Sequence, residues 1–215
     1  MKGKYFGNNR DKWHYYPNNI NFQINLIKSA SICNNENNFI GIPCVSNFAK
    51  SFLSFSKCSS SKLMSYSALF INKNFKISKE RILRFINCKN RRKIILVANS
   101  NINTNIDWAY KFFSIPDYIV ENWNNFSQPL ISNLSKEAKN NNLIFFISAG
   151  PAANIIVSYL IKINNKNIYL DFGSAIEFIT KGYSTRSYYI NNSTTSKLSC
   201  QKFIIKQNTI NYDIK

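Results

Sequence analysis

The segment from Leu143 to Ser174 constrains the fold of this chain more than any other part of the sequence. Leu143 to Ser148 is a continuous apolar run, which is typical of a strand whose two faces are both covered by helices. Asn167 to Leu170 predicts a second strand. Between them, apolar residues recur at helical spacing, namely Ala153, Ile156, Val157, Leu160 and Ile163. The segment therefore predicts two parallel strands joined by a helix.

The turn between the first strand and the helix has features of a ligand-binding turn. Gly150 allows the backbone to turn sharply or to approach a ligand closely, and Pro151 is tolerated at the first helical position. Asp171 ends the second strand, 21 residues after Gly150. Both therefore lie at the carboxyl edge of the predicted sheet, where open α/β sheets bind ligands and a helix N-terminus favours an anion such as phosphate.

The same segment has two alternative interpretations. Leu143 to Ile161 contains no charged residue, so its hydropathy also fits a membrane span, but Gly150, Pro151 and Asn154 interrupt that span. A β-α-β unit can also be scaffold that binds nothing. In that case Asp171 only caps the turn at Gly173, as Asp commonly does.

Composition narrows the class of protein. The chain has 215 residues, of which 45% are hydrophobic, enough for one α/β domain with its own core. The formal net charge of +18 indicates an anionic partner, and a nucleotide would satisfy it. The cysteines are five in number, scattered and without a C-x-x-C pair, so a zinc site or disulfide framework is not predicted. With no apolar signal-peptide core at the start, we expect a cytoplasmic protein without a transmembrane segment.

Strand-like and helix-like segments alternate along the chain. A helix is predicted from Ile20 to Ile32, and another from Ser78 to Asn87 with Ser78 as its cap. Lys93 to Ala98 is a clear strand, Ser114 to Val120 a shorter one, and Asn125 to Asn142 holds a helix. This order predicts a single α/β domain over residues 1–215. Its mostly parallel sheet is flanked by helices, and a less regular tail starts near residue 183.

Several polar or small residues follow the predicted strands and form the candidate site. If the strands are parallel, Asn99, Gly150 and Asp171 lie along one edge. Arg186 follows in a loop, and its planar fork suits a diphosphate. The sequence contains no G-x-G-x-x-G, no phosphate-loop motif and no G-x-S-x-G elbow, so an ordinary dinucleotide site, a phosphate-loop NTPase and a serine hydrolase are not supported.

The run SAGPAANIIVSYLIKINNKNIYLDFGSAIE, followed by STRSYY, resembles the C-terminal half of GT-D-type glycosyltransferases, in which a "GP-x-A" turn and a "D-x-G" segment flank the nucleotide-sugar pocket. Other segments match the same pattern in order, so the resemblance covers nearly the whole chain: WHYYP at 13–17, GIPC at 41–44, SALFINKNF at 67–75, LVAN at 96–99 and IVENWNN at 119–125.

The resemblance implies a Rossmann-like fold and transfer of a sugar from a nucleotide donor, commonly UDP-linked, to a glycan or other acceptor. It also implies a divalent cation, Mn²⁺ or Mg²⁺, that offsets charge on the leaving diphosphate. By position, the donor-site residues would be Gly150, Pro151, Asp171, Gly173 and Ser174, and Asp171 would be the catalytic residue.

The chain departs from the family pattern at its start. GT-D enzymes carry an acidic D-x-E motif after the first strand, and no such motif occurs here unless Asp11 replaces it. An inactive homologue is therefore one alternative. A second is a non-catalytic module whose basic surface binds nucleic acid or an anionic membrane.

Overall fold

The computed structural model describes residues 19–30, 40–42, 64–66, 70, 74–89, 92–116 and 118–183. The chain divides into two compact units, and each is treated by itself. The first unit contains Met1–Ile32 and Arg92–Gly173, and the second contains Cys33–Arg91 and Ser174–Lys215. The single domain expected for residues 1–215 stays a prediction.

The first unit contains most of the regular structure. Its elements are α1 (Ile20–Ala30), β3 (Lys93–Asn99), β4 (Lys111–Ile115), α3 (Trp123–Ala138), β5 (Leu143–Ser148), α4 (Ala152–Ile163) and β6 (Ile168–Asp171). The second unit contains β1 (Ile40–Ile42), β2 (Met64–Tyr66), α2 (Phe75–Ile86) and α5 (Glu177–Thr180), and a short 3₁₀ helix spans Gly173–Ile176.

A four-stranded sheet, in which every pair of neighbouring strands is parallel, forms the centre of the first unit. The strands lie in the order β4-β3-β5-β6. In chain order this is 2-1-3-4, so the chain adds β4 on one side of β3 and then returns to place β5 on the other side. Helix α3 leads to β5 and α4 leads to β6. The first unit is therefore a Rossmann-like α/β domain.

The apolar runs of β3 and β5 are explained by burial on both faces. Ile95, Val97, Phe145 and Ile147 belong to the main core, which also includes buried residues of α1, α3 and α4. Since successive strand residues point to opposite faces, Ile94, Leu96, Ile144 and Phe146 lie on the other face. These four are also buried. Phe146 contacts the rings of Trp108 and Phe172, with centroids 6.1 Å and 4.7 Å away.

Helix α1 is attached to this core by its first residues. The Asn19 side chain accepts a hydrogen bond from the Phe22 N–H at 3.0 Å, as an N-cap residue does, and donates to the Val120 carbonyl at 2.8 Å. Phe22 is buried and meets Trp123 edge to face, with ring centroids 5.4 Å apart. One residue therefore caps α1 and holds it near the start of α3.

In the second unit, β1 and β2 form a parallel pair in which Ile40 lies beside Met64. The rings of Phe75 and Phe178 meet edge to face at 5.8 Å, and the Lys79 ammonium lies 5.2 Å from the Phe178 ring. Glu177 and Lys181 form an ion pair at 3.0 Å. The WHYYP segment at 13–17 and the tail from residue 184 onward lie outside the described residues.

Two predicted boundaries are wrong. Helix α2 begins at Phe75, with Asn74 at the N-cap position, so Ser78 is interior to the helix. The reason is that Ser78 shares one buried face with Ile82 and Ile86. The strand expected at 114–120 is instead β4, which ends at Ile115. Pairing with β3 sets its register, and a turn follows, in which Tyr118 has a φ of 59°.

Candidate functional site

Three strands of the sheet end side by side at its carboxyl edge. Residues Ala98 and Ser148 are paired across β3 and β5, and Ile147 and Asp171 are paired across β5 and β6. Asn99 ends β3, the Gly150 turn follows β5, and Asp171 ends β6. The structure thus brings these three predicted residues to one edge. The strand order reverses between β3 and β5, and crevices at such switch points are where open α/β sheets bind ligands.

The Gly150 turn joins β5 to α4 in a conformation that suits glycine. Gly150 has a φ of 53°, in the left-handed region, where a residue with a side chain costs about 1–2 kcal/mol. Pro151 follows with a φ of −60° and directly precedes the helix. The N–H groups of Ala152 and Ala153 donate to the carbonyls of Ala149 and Gly150, at 3.2 and 3.0 Å. Because these two donors are occupied, the start of α4 would attract an anion mainly through the helix dipole.

Asp171 has a structural role in its own turn. Its Oδ1 accepts a hydrogen bond from the Gly173 N–H at 2.9 Å, and Gly173 has a φ of 51°. The capping role considered from the sequence is therefore present. A carboxylate has about four acceptor positions, so this bond leaves capacity for a ligand hydroxyl. In the register of the sheet, Asp171 is paired with Ile147, so its side chain lies on the face that α4 covers.

The environment of Asp171 favours its neutral form more than water does. Desolvation by the surrounding protein raises the pKa of its carboxyl group to about 6, and the hydrogen bond from Gly173 acts in the opposite direction. The residue is nevertheless exposed to solvent, which limits this desolvation. A carboxyl group with a pKa of about 6 is about nine-tenths ionised at pH 7, so it can accept hydrogen bonds from hydroxyl groups there.

Ser148 is a positioning residue that the sequence did not single out. Its Oγ donates to the Gly173 carbonyl at 2.5 Å, and the Phe172 N–H donates to the Ile147 carbonyl at 2.9 Å. These bonds attach the turn after β6 to the end of β5. The available signal was a lone hydroxyl at the end of an otherwise apolar strand.

Asn99 closes the turn after β3. It is buried, and its Oδ1 accepts the Asn101 N–H at 2.8 Å. The Ser100 N–H donates to the Ile115 carbonyl at 3.3 Å, which joins this turn to the end of β4. The structure thus assigns Asn99 a structural hydrogen bond, and its contact with a ligand stays a prediction.

Two other predicted site residues are not brought to this edge by the described part of the first unit. Ser174 lies in the 3₁₀ helix and belongs to the second unit, and Arg186 lies outside the described residues. The described residues also contain no group of three or more His, Cys, Asp or Glu side chains that could hold a metal ion. Asp171 alone does not supply the oxygen ligands that a resident Mg²⁺ or Mn²⁺ requires.

No helix in the described part of the chain combines the length and apolar character needed to cross a membrane. The apolar segment at 143–161 is instead β5, a turn and the first part of α4.

Comparison with protein-family models, with curated proteins and with solved structures gave no match. No family is identified. The Rossmann-like fold is shown by the sheet itself, and a function has to be inferred from the residues at its carboxyl edge.

Proposed function

We propose that this protein is a glycosyltransferase that transfers a sugar from a nucleotide-sugar donor, UDP-linked, to an acceptor such as a glycan. The observation that carries the proposal is the placement of the Gly150 turn and Asp171 at the carboxyl ends of neighbouring parallel strands, beside the switch point of the sheet. The choice of a sugar nucleotide comes from the resemblance of the segment Ser148–Glu177 to GT-D-type enzymes.

The positions of Asp171 and the Gly150 turn suggest which part of the donor each would bind. In nucleotide-binding β-α-β units, an acid about 20 residues after the glycine turn accepts hydrogen bonds from ribose hydroxyls. Asp171 occupies the equivalent position here, at the end of β6. The diphosphate would lie at the Gly150 turn, where the absence of a side chain allows close approach and the dipole of α4 favours negative charge.

The transfer breaks the bond between the anomeric carbon and the diphosphate oxygen, which leaves with the bonding electrons, and forms a bond to an acceptor oxygen, whose proton passes to bulk water. Negative charge grows on the diphosphate, so stabilising that charge is the main requirement. We propose the start of α4 for this role, while Arg186, for which the sequence predicts a diphosphate contact, lies outside the described residues. A divalent cation would arrive bound to the donor diphosphate, as part of the substrate, because the described residues do not supply a resident site.

The test is calorimetric titration of UDP and UDP-glucose into the protein, with and without Mn²⁺. We expect both to bind, and Asp171→Asn to weaken binding about tenfold or more, since a hydrogen bond to a charged group contributes roughly 1.5–3 kcal/mol. Glu137→Gln is the matched control. It removes one carboxylate near the start of β4, and its affinity should not change.

Gly150→Ala tests the other half of the site, and Gly182→Ala is its control. Gly182 also has a positive φ, of 79°, but belongs to the second unit, so both variants carry similar backbone strain. Only Gly150→Ala should lower donor affinity. Equal affinities in wild type, Asp171→Asn and Gly150→Ala would refute the site. Binding without release of UDP in the presence of candidate acceptors would instead indicate an inactive homologue.

A further inference from the structure

The edge of the sheet opposite the candidate site is formed by strand beginnings and helix ends. β3, β4 and β6 begin there, at Lys93, Lys111 and Ile168. Helices α3 and α4 each run back from the carboxyl edge to the start of the next strand, so both end at this amino edge. These elements all belong to the first unit.

Hydrogen bonds show that these segments lie together. The Lys111 ammonium contacts Glu137 in the last turn of α3 at 2.6 Å. The Asn164 side-chain amide, directly after α4, donates to the Ala138 carbonyl at 3.0 Å and to Asn141 Oδ1 at 3.0 Å. Asn167 donates to the Ala138 carbonyl at 2.9 Å. The end of α3, the end of α4 and the start of β6 therefore form one continuous surface.

This amino-edge surface is strongly basic. Its lysines are all exposed and come from four segments: Lys93, Lys111, Lys136, Lys139, Lys162 and Lys166. The segments that carry them contribute one acidic residue, Glu137, which pairs with Lys111. Tyr110 is half exposed, and the ammonium groups of Lys93 and Lys111 lie 4.3 and 5.8 Å from the centre of its ring.

Apolar side chains are exposed among these lysines. Ile163, the last residue of α4, and Ile168, the first residue of β6, are each 39% exposed. Ile163 directly follows Lys162, and Lys166 lies between Ile163 and Ile168 in the sequence. Exposed isoleucines beside lysines, with few acids nearby, are the combination by which proteins bind to a membrane surface without crossing it.

We propose that the amino-edge surface docks on an anionic lipid bilayer. The lysines would contact the phosphate and carboxylate groups of the lipid headgroups, and Ile163 and Ile168 would enter the boundary between headgroups and acyl chains. The positive charge of the surface favours an anionic bilayer over a second copy of the chain, because in a symmetric dimer the lysines of one copy would face those of the other. A nucleic acid would satisfy the lysines, but its phosphate backbone offers the exposed isoleucines no acyl-chain region to enter.

In this orientation the carboxyl edge of the same sheet, with Gly150 and Asp171, faces away from the bilayer. The docking itself does not depend on the proposed function, since the two edges share no residues. Loss of lipid binding and loss of donor binding are therefore measured separately.

The test is cosedimentation of the full chain with vesicles of phosphatidylcholine, with and without about one-third phosphatidylserine, at about 0.1 M salt. The test variant is Lys139→Gln/Lys162→Gln/Lys166→Gln. The control, Lys76→Gln/Arg81→Gln/Arg84→Gln, removes the same charge from exposed positions of α2 in the second unit. Glutamine is a good helix former, so both variants should keep their helices.

We expect the wild type to bind only vesicles that contain phosphatidylserine, and the test variant to lose roughly 100-fold in affinity, because each lysine near such a surface contributes roughly fivefold. The control should retain most of its binding. Ile163→Ser/Ile168→Thr should also weaken binding, with all charges kept.

Three results would overturn the proposal. If the wild type binds neither kind of vesicle, the proposal is refuted directly. An equal loss in the test and control variants would show that net charge alone is responsible. Binding to a duplex oligonucleotide that is tighter than to vesicles, and that is unaffected by the isoleucine substitutions, would identify nucleic acid as the partner. Circular dichroism of every variant separates these results from a failure to fold.

Discussion

At the scale of single residues, Asp171 has one observed role and one proposed role. Its carboxyl group holds the Gly173 turn through a hydrogen bond at 2.9 Å, and its position at the end of β6 is the one that contacts ribose in nucleotide-binding units. A purely structural cap would be served by neutral Asn as well as by Asp. The variant Asp171→Asn therefore separates the two roles. Its stability at different pH values also shows how the folded protein affects the protonation of Asp171.

We expect Asp171→Asn to change how stability depends on pH. The folded-state pKa is about 6, above the ordinary value of 3.8, so between about pH 4 and pH 6 the folded protein binds more protons than the unfolded chain. The stability associated with protonated Asp171 is present at low pH and is lost as the pH rises through about 6. Asn cannot ionise, so the variant should gain stability relative to wild type over that interval.

Urea unfolding of both proteins from pH 4 to pH 8 measures this difference. The Gly173 N–H can still donate to the Asn side-chain oxygen, so the turn itself should survive in the variant. A difference in unfolding free energy that does not vary with pH would show that the folded protein does not raise the pKa of Asp171.

At the scale of elements, the strands and helices of the β-α-β unit were predictable because local pattern and tertiary pairing agree. β5 was predicted at its observed bounds, and β6 within one residue, since unbroken apolar runs between polar turns leave little choice. β4 was displaced because its bounds follow the register with β3, which local sequence does not contain. The capping role of Asp171 was anticipated, whereas the bond from Ser148 to the Gly173 carbonyl depends on residues 25 positions apart.

Another contact that sequence alone does not reveal joins three elements through Asn167. Its side-chain amide donates to the carbonyls of Ala138 and Asn140 at 2.9 and 2.8 Å, and its Oδ1 accepts the Leu143 N–H at 3.0 Å. Asn167 is buried, so the Leu143 N–H has no ready replacement partner, whereas the two carbonyls also accept from the Asn164 amide, at 3.0 and 3.2 Å. It thereby connects the end of α3, the start of β5 and the start of β6.

Asn167→Ala should lower the free energy of unfolding by about 1–3 kcal/mol, since it leaves the Leu143 N–H unpaired and removes one of the two donors to each carbonyl. Asn165→Ala, at an exposed position two residues away, should change it by less than about 0.5 kcal/mol. Urea denaturation of both variants checks the difference. A loss at Asn167 as small as that at Asn165 would show that water replaces the bonds at little cost.

At the scale of the whole molecule, the dominant feature is the excess of positive charge. Lys and Arg number 28 against 10 Asp and Glu, which gives a formal net charge of +18. Some of the acidic residues form ion pairs, such as Lys111–Glu137 and Lys181–Glu177. Because basic residues outnumber acidic ones by 18, most of the positive charge is not neutralised. Such a chain repels itself when compact, and unfolding relieves the repulsion by separating the charges.

Stability should therefore rise with salt. Raising sodium chloride from about 0.01 M to about 0.15 M shortens the screening length from roughly 30 Å to roughly 8 Å, which weakens repulsion between distant lysines while the close ion pairs change less. A gain of about 1 kcal/mol would raise the melting temperature by about 2–4 °C in a chain of this size. Differential scanning calorimetry measures the shift. Lys76→Gln/Arg81→Gln/Arg84→Gln has three fewer cations, so its melting temperature should rise less over the same range of salt. A melting temperature that falls with salt would show that attraction between opposite charges outweighs repulsion in the folded chain.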